Sequence, residues 1–584
     1  MSKCRIGFDI GGTFTDIILY DEQNAVYHST KVHSTPPDQS KGAMIGIQKI
    51  LDQTGKSGAE VNYLSHGTTV GTNAVLEGKL AKTALITTKG FRDVLEIARQ
   101  RRPDQYNFFA VKDKVLIPRE LRFEVGERVD YQGNVIVDLD FDRVMEVIEI
   151  LKKKEVESVA VSFLFSFVNS EHERAVKKMI NKALPDIYCF ISSEILPEYR
   201  EYERTSTVAL NAAVAPIVSR YVHNLDSNIT GNLGVTCGMN LMKSSGGLMP
   251  ATLVHERAVE TVLSGPAAGA IAISYFGKMA GYKNLIGFDI GGTSTDISVI
   301  VDGAPRITSE GSIGNYPFAL PIVDINTIGA GGGSLAYVDI AGGIHVGPES
   351  AGATPGPVCY GMGGSKPTIT DATLCMGRLN EHFFLGGKME LDKSAAANAI
   401  NEQIAKPLGK TLEEASQGIF DVALANMVRA IRVSSVERGL DPRDFALIAF
   451  GGGGAVFTAD VAEELQIGTV IIPQEAGLLS AKGLLITDHR NDYSMTRISI
   501  LQDAKTSDIV ETFAELKDRA HADFEKAGTS VDCINYLYSI DMRYVGQAYE
   551  INIPILGEIE GVSFDKLITD FNDMHKRLYW WSDK

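Results

Sequence analysis

The chain has 584 residues, of which 44% are hydrophobic and 22% are charged, and its formal net charge is −17 with a pI near 5.2. This length is enough for roughly three or four domains with sizeable cores. The acidic total argues against nucleic acid or an anionic membrane as the main partner, because both require a basic surface.

The N-terminal sequence "MSKCRIGFDI" leads directly into a strand pattern, without the apolar region and cleavage site of a signal peptide. No run of about 18 apolar residues predicts a membrane span. The six cysteines are scattered and form no Cys-x-x-Cys pair. We therefore expect a cytoplasmic protein with reduced, mostly buried cysteines.

Strand and helix patterns alternate along the chain. "AKTALITTKG" and "VESVAVSFLFSF" predict buried strands, whereas "FDRVMEVIEILKKKE" and "SEHERAVKKMINKAL" predict amphipathic helices. Residues 198–221 and 412–438 predict further helices, and the glycine-dense region 329–364 contains few helix formers. "DFALIAFGGGGAVFTADVAEEL" predicts a strand, a glycine loop and a helix, and the region after 498 mixes both patterns. The alternation indicates an α/β fold.

One glycine-rich segment occurs twice. "GFDIGGTFTD" at 7–16 and "GFDIGGTSTD" at 287–296 match at nine of ten positions, and an apolar strand lies on each side of both. Each copy predicts a β-hairpin with a glycine turn. Two matching turns with aspartate and threonine in register favour a shared function over an ordinary turn.

The two turns have the composition of phosphate-binding loops, because glycine lets several backbone N–H groups approach an anion. Asp9 and Asp289, at the strand ends, can hold Mg²⁺ directly or through water and are the leading catalytic candidates. Phosphoryl transfer depends mainly on positioning and charge neutralisation, so two such loops facing one cleft predict ATP chemistry. The predicted nucleotide contacts are Gly11, Gly12, Thr13 and Thr15 in the first loop and Gly291, Gly292, Thr293 and Ser294 in the second, with Thr13 and Thr293 also assigned to catalysis.

Further glycines are predicted to shape the same cleft. "FGGGGAV" opens a helix, and its residues Gly451, Gly452 and Gly453 suit contact with adenosine, although a structural turn is an equal alternative. Gly265 and the run Gly331, Gly332 and Gly333 are assigned to the walls of the cleft, and Gly331 and Gly332 are also predicted to contact the nucleotide.

Substrate contacts are predicted in two places. "HGTTVGTNA" places His66, Thr68, Thr69 and Asn73 on a polar loop entering a helix, where a structural role for the histidine is an equal alternative. Arg99 begins a short basic run that suits carboxylate or phosphate recognition, although a solvated charged surface is the commoner explanation.

The order of the loops resembles the superfamily of acetate kinases, sugar kinases, Hsp70 chaperones and actin. More specifically, long stretches such as "LSHGTTVGTNAVLEGKLAKTALITTKGFRDVLEIARQRRP", "PEYREYERTSTVALNA", "LSGPAAGA", "GPESAGATPGPVCYGMGG" and "MRYVGQAYE" resemble the hydantoinase A/5-oxoprolinase family. The resemblance covers nearly the whole chain. It implies two ribonuclease-H-like, actin-like ATPase domains around a nucleotide cleft, with a partial C-terminal α+β region.

The resemblance also implies an activity that uses ATP and Mg²⁺ to phosphorylate the carbonyl oxygen of a cyclic amide such as a hydantoin, 5-oxoproline or another lactam. A hydantoinase B-type subunit is the implied partner, giving a hetero-oligomer. Related ketone carboxylases phosphorylate an enol instead, and a nucleotide switch of the actin type is a third possibility. The expected domains are 1–197, 198–498 and 499–584, and the last is expected to be shorter than in relatives.

Overall fold

A computed structural model describes residues 3–11, 14–35, 39–100, 104–111, 114–352, 354–384, 386–387, 389–474, 476–526 and 530–583. The strands in chain order are β1 (Cys4–Ile10), β2 (Phe14–Asp21), β3 (Val26–His33), β4 (Val61–Gly67), β5 (Thr83–Thr88), β6 (Arg122–Val125), β7 (Arg128–Val129), β8 (Val135–Val137), β9 (Ser158–Ser162), β10 (Tyr188–Ile191), β11 (Met239–Met242), β12 (Leu248–Pro250), β13 (Leu285–Ile290), β14 (Thr295–Val301), β15 (Ala304–Pro305), β16 (Ile307–Thr308), β17 (Gly311–Ile313), β18 (Tyr316–Phe318), β19 (Ile322–Val323), β20 (Ile325–Ile328), β21 (Ser334–Val338), β22 (Ile344–Ser350), β23 (Ala446–Phe450), β24 (Val470–Ile471), β25 (Tyr538–Met542) and β26 (Ile551–Ile555).

The helices in chain order are α1 (Gln39–Thr54), α2 (Val70–Leu76), α3 (Val94–Ile97), α4 (Phe141–Lys153), α5 (Glu171–Ala183), α6 (Ser192–Ile195), α7 (Glu201–Leu233), α8 (Ser264–Met279), α9 (Ile369–Cys375), α10 (Lys393–Ile400), α11 (Lys406–Leu408), α12 (Leu412–Ser434), α13 (Gly454–Glu464), α14 (Leu479–Ile486), α15 (Thr506–Lys526) and α16 (Phe564–Tyr579). Among the described residues, no helix combines the length and the apolar character that a membrane crossing requires.

The chain folds into two compact units. The first unit consists of Met1–Glu77, Ile217–Gly311 and Leu320–Arg490, and the second consists of Gly78–Pro216, Ser312–Ala319 and Asn491–Lys584. The spatial grouping therefore joins segments that lie far apart in the chain. The three consecutive domains expected from the sequence follow chain order instead, and that division stays a prediction.

Two large sheets with the same core arrangement form the first unit. One has the strand order β12-β11-β4-β1-β2-β3, and the other has the order β15-β14-β13-β23-β24 with β20 also paired to β14. In each sheet, the first strand of an antiparallel hairpin (β1 of β1–β2, or β13 of β13–β14) also pairs with a parallel strand, β4 or β23. This repeated order confirms the α/β fold with two related halves that the duplicated segment predicted.

The repeated strands are apolar because both of their faces are covered, as alternation of strands and helices requires. Phe8 and Phe288 occupy equivalent positions and are both fully buried. The second sheet packs against α9, α12 and α13 in a core that includes Phe420 and Phe457, whose stacked rings lie 4.5 Å apart. The apolar runs of the sequence thus fix which segments lie at the centre of each sheet.

The second unit is built on a parallel sheet of order β10-β9-β5-β6. The amphipathic helices α4 and α5 bury one face each, as their sequence periodicity predicted. The chain's C-terminal segment adds the hairpin β25–β26, which packs with α16 around Ile553, Leu567 and Phe571.

Two helices of the first unit, α8 and α14, pack at very close range. A Cβ atom added at Gly483 of α14 would lie 2.1 Å from the carbonyl oxygen of Ala268 in α8. Because backbone atoms cannot move aside as a flexible side chain can, only glycine fits at this position. The crossing also borders a small core that contains Ala267, Met242 and Leu484.

We expect Gly483→Ala to destabilise the protein by about 1–3 kcal/mol, the usual cost of overpacking a tight interior. The measurement is the midpoint of urea unfolding followed by circular dichroism. Gly231→Ala, near the exposed end of α7, is the matched control, since no atom lies within 4 Å of the added Cβ and alanine favours helix by up to about 1 kcal/mol. Equal unfolding midpoints for the two variants would show that α8 and α14 can move apart at no cost in unfolding free energy.

Candidate functional site

The duplicated segments form two hairpins of the same design within the first unit. Asp9 is paired with Asp16 across β1 and β2, and Asp289 is paired with Asp296 across β13 and β14. At the tips, the N–H of Gly11 donates to the carbonyl oxygen of Phe14 at 3.0 Å, and Gly291 donates to Ser294 at 2.9 Å. Each strand pair therefore carries its aspartates next to a turn that is closed by an equivalent hydrogen bond.

The tips differ in how much of them is described. Gly291, Gly292 and Thr293 are exposed at the second tip, where their backbone and hydroxyl groups can reach a ligand. Gly12 and Thr13, the matching residues of the first tip, lie outside the described residues. Their predicted phosphate contacts therefore stay predictions.

Asp9 lies where β1 and β4 end together, paired with Gly67 of β4. A Cβ atom at Gly67 would lie 2.6 Å from Asp9 Oδ1, so the glycine makes room for the carboxylate. That oxygen is buried and has no hydrogen-bond partner among the described residues. Burial, with a smaller contribution from the neighbouring Asp16 carboxylate, raises the pKa of Asp9 to about 7, while Lys31 opposes the shift.

Asp289 has an equivalent setting in the second sheet, opposite Phe450 of β23. The next residue, Gly451, has φ +78°, and a Cβ there would lie 2.1 Å from Asp289 Oδ1. Burial raises the pKa of Asp289 well above its ordinary value, and repulsion from Asp296, Asp9 and Asp16 adds to the shift. The carboxylates of the two hairpins thus lie within electrostatic range of each other.

A glycine loop, residues 331–333, forms hydrogen bonds with the turn of the second hairpin. The N–H of Gly332 donates to the carbonyl oxygen of Gly291 at 3.0 Å, and Gly333 donates to Gly292 at 2.6 Å. A Cβ at Gly331 would lie 2.6 Å from the backbone nitrogen of Ser294. Gly331 and Gly332, predicted as nucleotide contacts, therefore lie against the hairpin turn and fix its shape.

The predicted adenosine loop joins the same hairpin at its base. Gly453 donates its N–H to the carbonyl oxygen of Ile290 at 2.9 Å, and Gly451 donates to Ala476 at 3.0 Å. Gly452 is exposed, and no atom lies within 4 Å of a Cβ placed on it. The loop leads into α13, so exposed backbone precedes a helix N-terminus, an arrangement suited to nucleotides.

Two of the predicted contacts have buried side chains, and their contact with a ligand stays a prediction. Thr15 has no exposed surface, and its Oγ1 lies 3.3 Å from Ser34 Oγ, so it packs the hairpin. His66 is also fully buried, stacks on Phe8 with ring centroids 4.4 Å apart and contacts the Tyr221 hydroxyl through Nε2 at 3.0 Å. Burial lowers the pKa of His66 to about 4, so the ring is neutral and belongs to the core.

The remaining predicted substrate residues separate into two places. Thr69 donates its hydroxyl to the carbonyl oxygen of Ile10 at 3.2 Å, and Asn73 bonds to Thr69. Thr68 is buried beside them and accepts the N–H of Val70 through its hydroxyl. This loop therefore reinforces the base of the first hairpin.

Arg99 lies in the second unit, where its guanidinium forms a two-pronged ion pair with Glu203, with Nε at 2.7 Å from Oε1. Glu203 therefore neutralises the charge of Arg99 within that unit.

Gly67 was missed by the sequence analysis, because a single glycine at a strand end carries no signal of its own. Only the parallel register of β1 and β4 brings it to Asp9.

The donor set fits Mg²⁺ held through water and phosphate oxygens. Among the described residues, no group of three or more histidine, cysteine or acidic side chains is close enough to enclose an ion. Mg²⁺ usually keeps several waters and binds one or two carboxylates together with phosphates. The unpartnered Oδ1 of Asp9 and the raised pKa of Asp289 show that both carboxylates are poorly satisfied by the protein alone.

Comparison with known proteins identifies the family of the chain. The hydantoinase/oxoprolinase family matches residues 204–493, its N-terminal region matches 5–184, and its C-terminal domain matches 500–584. The chain is 40% identical to an uncharacterized protein of Methanocaldococcus jannaschii over 99% of its own length and 85% of that protein. The chain belongs to the hydantoinase/oxoprolinase family.

Relatives with named activities are of two kinds. The caprolactamase subunit alpha of Pseudomonas jessenii is 36% identical, covering 99% of this chain and 84% of the subunit. The acetophenone carboxylase gamma subunit of Aromatoleum aromaticum is 32% identical, covering 93% of this chain and 77% of that subunit.

Two solved structures share the fold. The crystal structure of the ATP-dependent caprolactamase from Pseudomonas jessenii superposes with a TM-score of 0.89 at 35% identity, and nucleotide-free acetone carboxylase gives 0.78 at 27%. Both matches cover 99% of this chain and 85% of the other.

The pKa of Asp9 makes a prediction for folding. Because this pKa is about 7 in the folded protein and near 4 in the unfolded chain, protonation favours the fold, and the benefit is lost as the pH rises through 7. In the presence of a chelator, we expect Asp9→Asn to exceed wild type in unfolding free energy at pH 8 by up to about 4 kcal/mol. The excess should shrink as the pH falls to 5.

Asp21→Asn is the control with the opposite sign. Lys56 bonds to Asp21 and lowers the pKa of this carboxyl group to about 2. The ionised Asp21 therefore stabilises the fold above its unfolded pKa of about 4, and this stabilisation is lost as the pH falls toward 2. This variant should be less stable than wild type at pH 8. A lower stability of Asp9→Asn at pH 8 would contradict the burial of an unsatisfied charge at Asp9.

Proposed function

We propose that this chain is the ATP-binding, phosphorylating subunit of an ATP-dependent hydrolase of cyclic amides. The observation that carries the proposal is the pair of hairpins in one unit, each of which has a glycine turn and, in the strand before it, an aspartate whose pKa is raised. The 36% identity to a caprolactamase subunit supports the choice of substrate class.

The roles follow from position. Backbone N–H groups of Gly12 and Gly292 would hold phosphate oxygens, with hydroxyl donation from Thr13, Thr293 and Ser294. Gly11 and Gly291, whose N–H groups close the turns, would let the phosphate approach the backbone. Gly451 to Gly453 would lie against adenosine at the start of α13. Asp9 and Asp289 would hold Mg²⁺ through water, and the metal supplies charge neutralisation for the transferred phosphoryl group.

ATP supplies the phosphoryl group that makes the carbonyl carbon of a cyclic amide susceptible to water. The chain's own residues would orient the nucleotide and the metal, and we nominate no residue of the chain as the general base for the attacking water. A hydantoinase B-type partner would supply this general base in a hetero-oligomer, and relatives named as subunits support such a partner.

A ketone carboxylase subunit is the second candidate, supported by 32% identity to the acetophenone carboxylase gamma subunit and by the acetone carboxylase fold. It would use the same hairpins to phosphorylate an enol oxygen, and its product would contain carbon from bicarbonate. The nucleotide site alone serves both reactions equally.

The deciding experiment measures phosphate release from Mg·ATP by this chain, alone and with a B-type subunit. The panel contains hydantoins, 5-oxoproline, other lactams, and ketones with and without bicarbonate. Ring opening without bicarbonate would support the hydrolase, and a carboxylated product would favour the second candidate. Turnover that responds only to a protein would favour a nucleotide switch, and no turnover in any mixture would refute all three.

Asp9→Asn and Asp289→Asn test the site itself. We expect either change to lower phosphate release by roughly 100-fold or more, because metal-assisted charge stabilisation is worth several kcal/mol. Asp302→Asn is the matched control. Asp302 is exposed on the turn after β14 with φ +52°, a conformation that asparagine tolerates. Full turnover in the double Asn variant, with its fold confirmed by circular dichroism, would refute the two-hairpin site.

A further inference from the structure

The glycine loop 331–333 lies between the turn of the second hairpin and helix α9. The carbonyl oxygen of Gly332 accepts two hydrogen bonds from Thr370 of α9, one from its backbone N–H and one from its hydroxyl, each at 2.8 Å. Thr370 is buried, so water has little access to compete for this carbonyl oxygen. Both donors of a single threonine therefore hold one peptide group of the loop.

The same peptide group also bonds to the hairpin turn. In a trans peptide the C=O and the N–H point in opposite directions. The group that joins Gly332 and Gly333 therefore directs its oxygen toward α9 and its N–H toward the turn. The N–H of Gly333 donates to the carbonyl oxygen of Gly292 at 2.6 Å. A continuous chain of hydrogen bonds thus runs from Thr370 through one peptide group to the turn.

This chain of hydrogen bonds ends at an exposed donor. The carbonyl of Gly292 belongs to the same peptide group as the N–H of Thr293, and both residues are exposed at the tip of the hairpin. Within the part of the chain that the structure describes, no acceptor bonds to this N–H. Hydrogen bonds in series polarise one another, so the bonds at Gly332 and Gly292 strengthen the N–H of Thr293 as a donor.

The neighbouring peptide group makes a similar connection from the backbone alone. The carbonyl oxygen of Gly331 accepts the N–H of Ser334 at 2.9 Å, and the N–H of Gly332 donates to Gly291 at 3.0 Å. The peptide group of that Gly291 carbonyl contains the N–H of Gly292. Two exposed N–H groups of the turn are thus held through loop 331–333, and a side-chain donor, the hydroxyl of Thr370, starts one of the two connections.

Helix α9 is itself fixed at the end that contains Thr370. The carboxylate of Asp371 is fully buried and accepts four hydrogen bonds, from the N–H groups of Thr368, Val358 and Cys359 and from the Thr368 hydroxyl. A satisfied buried network of this kind makes the local structure rigid. Thr370 therefore holds the loop from a fixed support.

We propose that Thr370 is a positioning residue for phosphoryl transfer, which holds and polarises the backbone donors of the second hairpin turn through the peptide group between Gly332 and Gly333. The inference rests on the proposed function and extends it, because Thr370 lies outside both hairpins and acts without touching the nucleotide. Donors that are fixed before the reaction stabilise the charge on the transferred phosphoryl group without reorganising.

Thr370→Val and Thr370→Ser test this assignment. Valine keeps the shape of threonine and removes the hydroxyl donor, whereas serine keeps the donor. In the mixture that releases phosphate from Mg·ATP fastest, we expect the kcat of Thr370→Val to fall by roughly tenfold. The KM for Mg·ATP should change by less than about threefold, because preorganised donors act mainly on the transition state. Thr370→Ser should keep most of the wild-type kcat.

Thr373→Val is the matched control on the same helix. Thr373 is also buried, and its hydroxyl donates to the carbonyl oxygen of Thr370 at 3.0 Å, inside α9. Each valine variant loses one hydrogen bond of a buried hydroxyl, so both should lower the melting temperature to a similar extent. Assayed well below both melting temperatures, Thr373→Val should release phosphate at the wild-type rate.

Amide hydrogen exchange gives a readout that does not require turnover. In wild type, the N–H groups of Gly332 and Gly333 are hydrogen-bonded to the turn. Mass spectrometry of a peptide that contains both residues should show faster exchange in Thr370→Val, because the loop is held less firmly. Thr370→Ser and Thr373→Val should exchange at the wild-type rate.

The outcomes separate the two proposals. If wild type hydrolyses Mg·ATP and Thr370→Val keeps its kcat, the assignment of Thr370 is wrong and the hairpin site stands. Equal losses of kcat in Thr370→Val and Thr373→Val also overturn the assignment, since the effect then comes from weakening α9 as a whole. A serine variant as slow as the valine variant overturns it too. If wild type neither binds nor hydrolyses Mg·ATP, the proposed function fails and the assignment fails with it.

Discussion

The free-energy cost of ionising Asp9 and Asp289 away from water is the main electrostatic constraint on the first unit. Each carboxylate lies at a strand end where protein atoms replace water, and repulsion between the hairpins adds to the cost of charging Asp289. Protein interiors usually avoid this cost by excluding charged groups, or offset it by pairing each charge with an opposite one. Here Gly67 and Gly451 make room for the two carboxylates. A site that is unfavourable without its ligand is a common consequence of selection for binding.

Close backbone packing is the second constraint, and it connects the site to the fold. The hairpin turn at Gly291 is held by hydrogen bonds from Gly332 and Gly333, and Gly483 lets α14 touch α8. These contacts leave little freedom for the backbone of the turn that is proposed to bind phosphate. Preorganised donors of this kind stabilise charge without reorganising during the reaction.

The two kinds of named relative fit a shared nucleotide site with different second substrates. The sites proposed in the first unit would take phosphate, metal and adenosine, and the two proposed reactions have these in common. Substrate choice therefore depends on residues that the nucleotide motifs do not include. Arg99 illustrates the difficulty, because its charge is taken up by Glu203 in the second unit.

Much of this protein could be predicted from the sequence alone. The duplicated segment predicted two hairpins and their aspartates, and the apolar periodicity predicted α4, α5, α12 and the strand before α13, because these signals are local. The sequence did not reveal that His66 and Thr15 are buried, nor that Gly67 lies beside Asp9. Burial and proximity depend on which strands pair and which helices cross, so residues distant in the chain decide them. The sequence determined the chemistry available at the hairpins, and the tertiary structure decided which of those groups can reach a ligand.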